Sequence, residues 1–176
     1  DCHTHLVFSG NRATEFEERL QGKSYEEIAL GGGGIMSTVN ATRNASFSSL
    51  LTASEKRLQS LKNEGVATIE IKSGYGLDLE TEIRMLEVAR AIGKKNNISV
   101  TSTFLGAHTI PPEFSEKGKY IKFLCDKVLP VLCDLNLVDA IDAYCEKIAF
   151  SAAEIEPLFE HANLLEIPIK IHADQL

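Results

Sequence analysis

His3 and His5 are separated by one residue in Asp1-Cys2-His3-Thr4-His5. On an extended strand, residues two apart point to the same side, with Cα atoms about 6.5–7 Å apart. Two imidazoles in that relation can converge on one metal ion, and imidazole suits zinc or iron. His172 ends the run Lys170-Ile171-His172 on the polar side of another β-like stretch, and is a third candidate ligand. His108, in Gly106-Ala107-His108, follows a further β-like stretch and can serve as a ligand or a substrate contact. Arg12 lies just past the first stretch, where a guanidinium can grip a carboxylate through two hydrogen bonds. Tyr75 sits between Gly74 and Gly76, and flanking glycines let a loop backbone approach a ligand closely. His161 falls mid-helix and receives no role.

The elements that position these residues alternate between two periodicities. Strand-like runs cover 3–8, a short apolar stretch, and 66–72, rich in β-branched residues, followed by 98–105, 140–145 and 167–172. Helical patterns separate them. Ser24 and Glu27 form a capping box whose turn ends at the glycine run 31–34. Leu50, Leu51, Leu58 and Leu61 mark a helix ending near Gly65, and Asp78 caps a helix predicted to end at Gly93. A helix is predicted over 120–133 despite Pro130, and Ser151 with Glu154 opens the last one.

Alternating strands and helices predict an α/β fold with a parallel sheet. The dinucleotide fingerprint of doubly wound sheets is absent after the first strand. Within the strands, Ile69 and Ile71 oppose Glu70 and Lys72, Ile141 and Ala143 oppose Asp142 and Tyr144, and Ile169 and Ile171 oppose Lys170 and His172. A sheet covered by helices on both faces reads apolar on both. One apolar and one charged face instead predict a (β/α)8 barrel, helices outside and a polar mouth inside. Glu70 and Lys72 then form an internal ion pair, since buried charges need partners. The glycine run follows a helix instead of opening one after a strand, which disfavours a phosphate cradle.

The chain has 176 residues, 25 acidic against 18 basic, and a formal net charge of −7. That balance argues against a nucleic-acid binder or a polybasic membrane-surface protein. No run approaches the roughly 18 apolar residues of a membrane span. The four cysteines, Cys2, Cys125, Cys133 and Cys145, contain no Cys-x-x-Cys pair and read as small buried hydrophobes of a reducing cytoplasm. Dense polar motifs at both termini predict an excised part of a longer protein, covering about five of eight strands.

These motifs resemble the metal-dependent amidohydrolase superfamily, which takes two metal histidines from strand one and another from strand five. Within it they look like the imidazolonepropionase family. The resemblance rests on Gly10-Asn11-Arg12, Gly32-Gly33-Gly34-Ile35, Glu70-Ile71-Lys72-Ser73-Gly74-Tyr75-Gly76-Leu77-Asp78 and onward through Glu82, Phe104-Leu105-Gly106-Ala107-His108, and His172-Ala173-Asp174-Gln175-Leu176. It implies a TIM-like barrel of the metal-dependent hydrolase type. It implies hydrolysis of 4-imidazolone-5-propanoate to N-formimidoyl-L-glutamate in histidine degradation. One zinc or iron ion would be held by His3, His5 and His172, with substrate contacts from Arg12, Tyr75, His108 and Gln175. The family's remaining metal aspartate, a further active-site histidine and a small β domain are expected outside residues 1–176, so the chain alone is expected to be inactive. The expected partners are a small-molecule substrate and, for the full-length protein, a second copy. Read without the resemblance, the residues leave open another cyclic amidohydrolase or heterocycle deaminase, or a non-catalytic fragment.

Overall fold

The computed structural model describes residues 1–24, 27 and 33–174. Its strands are β1 (Thr68–Lys72), β2 (Ser99–Ala107), β3 (Ala140–Cys145) and β4 (His172–Ala173). They pair in parallel in the order β1-β2-β3-β4. The N-terminal residues add a parallel segment on the outer edge of β1. Glu70 donates its N–H to Asp1 O at 2.9 Å, Thr4 donates to Glu70 O at 3.1 Å, and Lys72 donates to Thr4 O at 2.9 Å. Spatial order thus follows chain order, without the reversal that defines a doubly wound sheet.

The sheet is curled into part of a barrel. Four strand spacings of about 4.8 Å would hold the first and fifth segments roughly 19 Å apart in a flat sheet. Instead His172 Nε2 lies 3.0 Å from His3 Nδ1, and Lys170 Nζ lies 2.7 Å from Glu70 Oε1.

The helices are α1 (Ala13–Leu20), α2 (Ile35–Arg43), α3 (Phe47–Asn63), α4 (Leu79–Asn96), α5 (Lys117–Phe123), α6 (Leu129–Asp134) and α7 (Ala152–Leu164). Ile69 and Ile71 bury against Leu50 and Leu58 of α3 and against Met85, Val88 and Ile92 of α4. Phe104, Ile141 and Ala143 pack with Leu124, Leu129, Leu132, Ile155 and Leu158 on the helical side of β2 and β3. The polar face turns inward. Lys72 Nζ lies 2.8 Å from Glu70 Oε1 and 2.8 Å from Asp142 Oδ2, so the predicted internal ion pair is a triad.

Several boundaries differ from the sequence reading, each for a physical reason. The first strand pairs only through Asp1 and Thr4, not across 3–8. Arg57 Nη1 donates to Leu6 O at 3.0 Å and Phe8 O at 2.9 Å, which draws that backbone toward α3. Gly93 lies inside α4, which runs to Asn96 and stops where Asn97 turns left-handed at φ 49°. A Cβ on Gly93 would stand 2.9 Å from Val100 Cγ2, so this glycine lets α4 rest on β2. The helix predicted over 120–133 contains a π turn, Leu124–Val128, which ends two residues before Pro130. Leu129 N–H donates to Leu124 O, a spacing of five that accommodates a proline with no N–H to offer.

The last strand pairs at Ile169 and at His172–Ala173, and Pro168, with no N–H to give, joins the ladder through its carbonyl, which accepts from Ile141 N at 2.9 Å. The capping contacts of Ser24 with Glu27 are present, while the rest of the turn they open lies outside the described residues. All four cysteines are free thiols. Cys125 is buried as expected, whereas Cys2 is exposed on the outer edge segment. No described helix is long and apolar enough to cross a membrane.

Candidate metal centre and cleft

The candidate residues gather at the C-terminal ends of the strands. The Thr4 pairing to Ile71 sets His3 and His5 beside the end of β1, and the Tyr144 pairing sets His172 beside the end of β3. His108 follows β2 directly, and Tyr75 follows β1.

His3 occupies the middle of a histidine chain. Its Nε2 is 3.2 Å from His5 Nε2, and its Nδ1 is 3.0 Å from His172 Nε2. Two nitrogens 3.2 Å apart suit a shared ion at about 2.0–2.1 Å from each. His172 meets the other ring nitrogen of His3, so the three rings as they stand do not converge on one point, and holding one ion together would take a rotation of the His3 ring. Among the described residues, no three or more His, Cys, Asp or Glu side chains stand arranged to hold an ion.

The donor chemistry nonetheless fits one. Burial, helped by the neighbouring His3, brings His5 down to about 4, and burial lowers His3 as well. Both rings are therefore neutral near pH 7, the ligating form. His5 Nδ1 is buried without a protein partner. His172 Nδ1 lies 2.9 Å from Asp142 Oδ2 but outside hydrogen-bond geometry, so it too is buried without a hydrogen-bond partner.

Two adjoining cavities share His5 and Tyr75. One, of about 510 Å³, is lined by Phe8, Arg12, Thr38 and Arg57. The other, of about 580 Å³, is lined by His3, His108, Tyr144 and His172. Arg12 donates through Nε to Thr38 Oγ1 at 3.0 Å, while its buried Nη2 has no protein partner. Arg57 lies flat over Phe8, 3.6 Å from the ring centroid, with its Nη1 committed to backbone carbonyls. Arg12 thus has a buried donor, Nη2, left for a ligand.

His108 donates Nε2–H to Gly74 O, since a carbonyl can only accept. Burial lowers its pKa and keeps the ring neutral. The glycines around Tyr75 also let the loop pack closely on the protein itself. A Cβ on Gly74 would stand 2.5 Å from Leu105 O, and one on Gly76 would stand 2.7 Å from Glu82 N. Of the glycine run, Gly34 N–H donates to Glu15 Oε2 at 2.9 Å at the start of α2, while 31 and 32 lie outside the described residues. Gln175 also lies outside them.

Two residues escaped the sequence reading. Asp142 was legible as one of several polar residues on the inward face of its strand, without its contact to His172. Glu82, 1% exposed, resembled any acid in the first turn of a helix.

Fold and cleft together define a parallel β/α half-barrel with a histidine-lined mouth. Over its whole length the chain is similar to imidazolonepropionases. It is 56% identical to that of Pseudomonas entomophila (strain L48), covering 44% of the relative. It is 58% identical to that of Ralstonia nicotianae, covering 43%, and 55% identical to that of Legionella pneumophila (strain Paris), covering 44%. The chain thus spans less than half the length of these curated relatives. No family model matches it.

Proposed function

We propose that the intact protein carrying this chain hydrolyses the cyclic amide C–N bond of 4-imidazolone-5-propanoate, giving N-formimidoyl-L-glutamate in histidine degradation. The observation that carries this reading is the similarity to imidazolonepropionases, 54–58% identical across the entire chain. On this reading, residues 1–176 supply the first five strands of an eight-stranded hydrolase-type barrel. The remaining strands and a small β domain lie outside them. The enzyme works in the cytoplasm, as a homodimer.

His3, His5 and His172 would hold one zinc or iron ion. Such an ion lowers the pKa of bound water toward ~7 and polarises the amide carbonyl. The chain's own residues bind and orient the substrate. Arg12 receives the propanoate through its unpartnered Nη2, a charge-assisted bond. Tyr75 borders both cavities and so touches the ring and its side chain together. His108 has Nε2–H committed to Gly74 O, which leaves Nδ1 to accept a hydrogen bond from a ring N–H. Gln175 supplies an amide to the ring's polar edge. Asp142 lies behind the His172 ring, its Oδ2 2.9 Å from Nδ1.

The test is turnover by the intact enzyme loaded with zinc or ferrous iron. Loss of imidazolone absorbance is followed beside purine and pyrimidine substrates of related hydrolases and deaminases. The reading predicts ring opening of imidazolone propanoate alone. Preference for a purine or pyrimidine, or inactivity toward all, would reject it.

A further inference from the structure

We propose that Glu82 is a positioning residue, a buried carboxylate that holds the loop 73–78 in the shape that presents Tyr75 to the cleft. The proposal rests on the functional reading above only for the role of Tyr75 toward substrate.

Glu82 lies in the first turn of α4 and collects three backbone donors from one loop. Its Oε1 accepts from Gly76 N and from Leu77 N, each at 2.8 Å, and its Oε2 accepts from Gly74 N at 3.0 Å. The helix does not need it as a cap, because Asp78 Oδ1 already accepts from Thr81 N at 2.7 Å. Burial pushes its carboxyl up, while hydrogen bonds from Ser73 and the three amides oppose that rise. Its position is therefore costly unless the loop closes around it.

The loop has reason to need holding. Gly74 sits at φ 114° and Leu77 at φ 58°, the latter uncommon for a residue with a branched side chain. Two glycines in three residues leave many other backbone shapes open. The opposite side of the loop is pinned as well. His108 donates to Gly74 O, and Arg43 Nε donates to Gly76 O at 2.7 Å. Tyr75 itself is half-buried and touches its neighbours ring to ring, with centroids 5.6 Å from His5 and 6.2 Å from both Phe8 and His108. Its placement is inherited from the backbone that Glu82 fixes.

The test is a double-mutant cycle in the intact enzyme, read beside amide exchange. In Glu82→Gln, one side-chain oxygen becomes an NH2 that faces a backbone donor, so at least one of the three bonds is lost. The amides of Gly74, Gly76 and Leu77 should exchange at least about tenfold faster, with those of β2 unchanged. KM for imidazolone propanoate should rise about tenfold or more, with a smaller fall in kcat. In a Tyr75→Ala background, Glu82→Gln should raise KM no further, because the two residues act as one unit. An equal KM effect in both backgrounds, or unchanged exchange of the three amides, overturns the proposal. Should Glu82→Gln not fold, Glu82→Asp enters the same cycle, its carboxylate one methylene short of the loop. A wild-type enzyme inert toward the substrate sinks the functional reading alone, and the exchange rates then decide whether Glu82 holds the loop.

Discussion

Asp142 Oδ2 stands 2.9 Å from Nδ1 of His172, and the same oxygen lies 2.8 Å from Nζ of Lys72. The buried ion triad and the histidine chain therefore meet at one atom. His172 Nδ1 makes no hydrogen bond, but a carboxylate this close favours the proton on Nδ1 and leaves Nε2 as the lone-pair nitrogen. Asp142→Asn keeps the shape and removes the charge that fixes this tautomer. We expect zinc affinity to fall about 10–100-fold, measured by competition with a chelator, with the circular dichroism spectrum preserved. Wild-type affinity would show that Asp142 serves only Lys72.

Arg12 should act in binding and not in bond cleavage. Arg12→Met removes the charged donor while keeping much of the apolar stem. Losing a charge-assisted hydrogen bond costs roughly 1.5–3 kcal/mol. KM should therefore rise by about one to two decades while kcat stays within a few-fold, measured by steady-state kinetics on the intact enzyme. An unchanged kcat/KM would place Arg12 outside the substrate cleft.

Glu70 ties stability to acid pH. Burial alone would raise its carboxyl, but hydrogen bonds from Lys170, Lys72 and Thr103 outweigh it and bring the group down to about 2. An unfolded chain takes up this proton near 4.5, so the folded state is favoured above that pH. The advantage is lost as pH falls from about 4.5 toward 2, a total on the order of 3 kcal/mol. Denaturant midpoints across that window should fall more steeply for wild type than for Glu70→Gln. Parallel curves would mean that Glu70 titrates normally.

Period-two patterning made the sheet legible. Ile69 and Ile71 face α3 and α4, Glu70 and Lys72 face inward, and β3 spans 140–145 as read from its residues. Helix starts were legible where a side chain caps its own backbone, as at Asp78 and Ser151. What escaped depends on residues distant in the chain. The edge segment is short because Arg57 claims the carbonyls of Leu6 and Phe8. The histidines could be named from spacing and strand ends, but their order, with His3 between His5 and His172, arises only when the sheet curls. The carboxylates behind the site, Asp142 and Glu82, carry no local signature, since one resembles any inward polar residue and the other any first-turn acid.

The central claim is that His3, His5 and His172 share one ion. X-ray absorption at the zinc edge of the zinc-loaded intact enzyme, beside its His172→Ala variant, tests it most directly. The account predicts one zinc per wild-type chain, nitrogen or oxygen scatterers at about 2.0–2.1 Å, and outer-shell scattering from three imidazoles. The variant should show weaker zinc retention and scattering from two imidazoles at most. An identical imidazole contribution and full zinc occupancy in His172→Ala would contradict it.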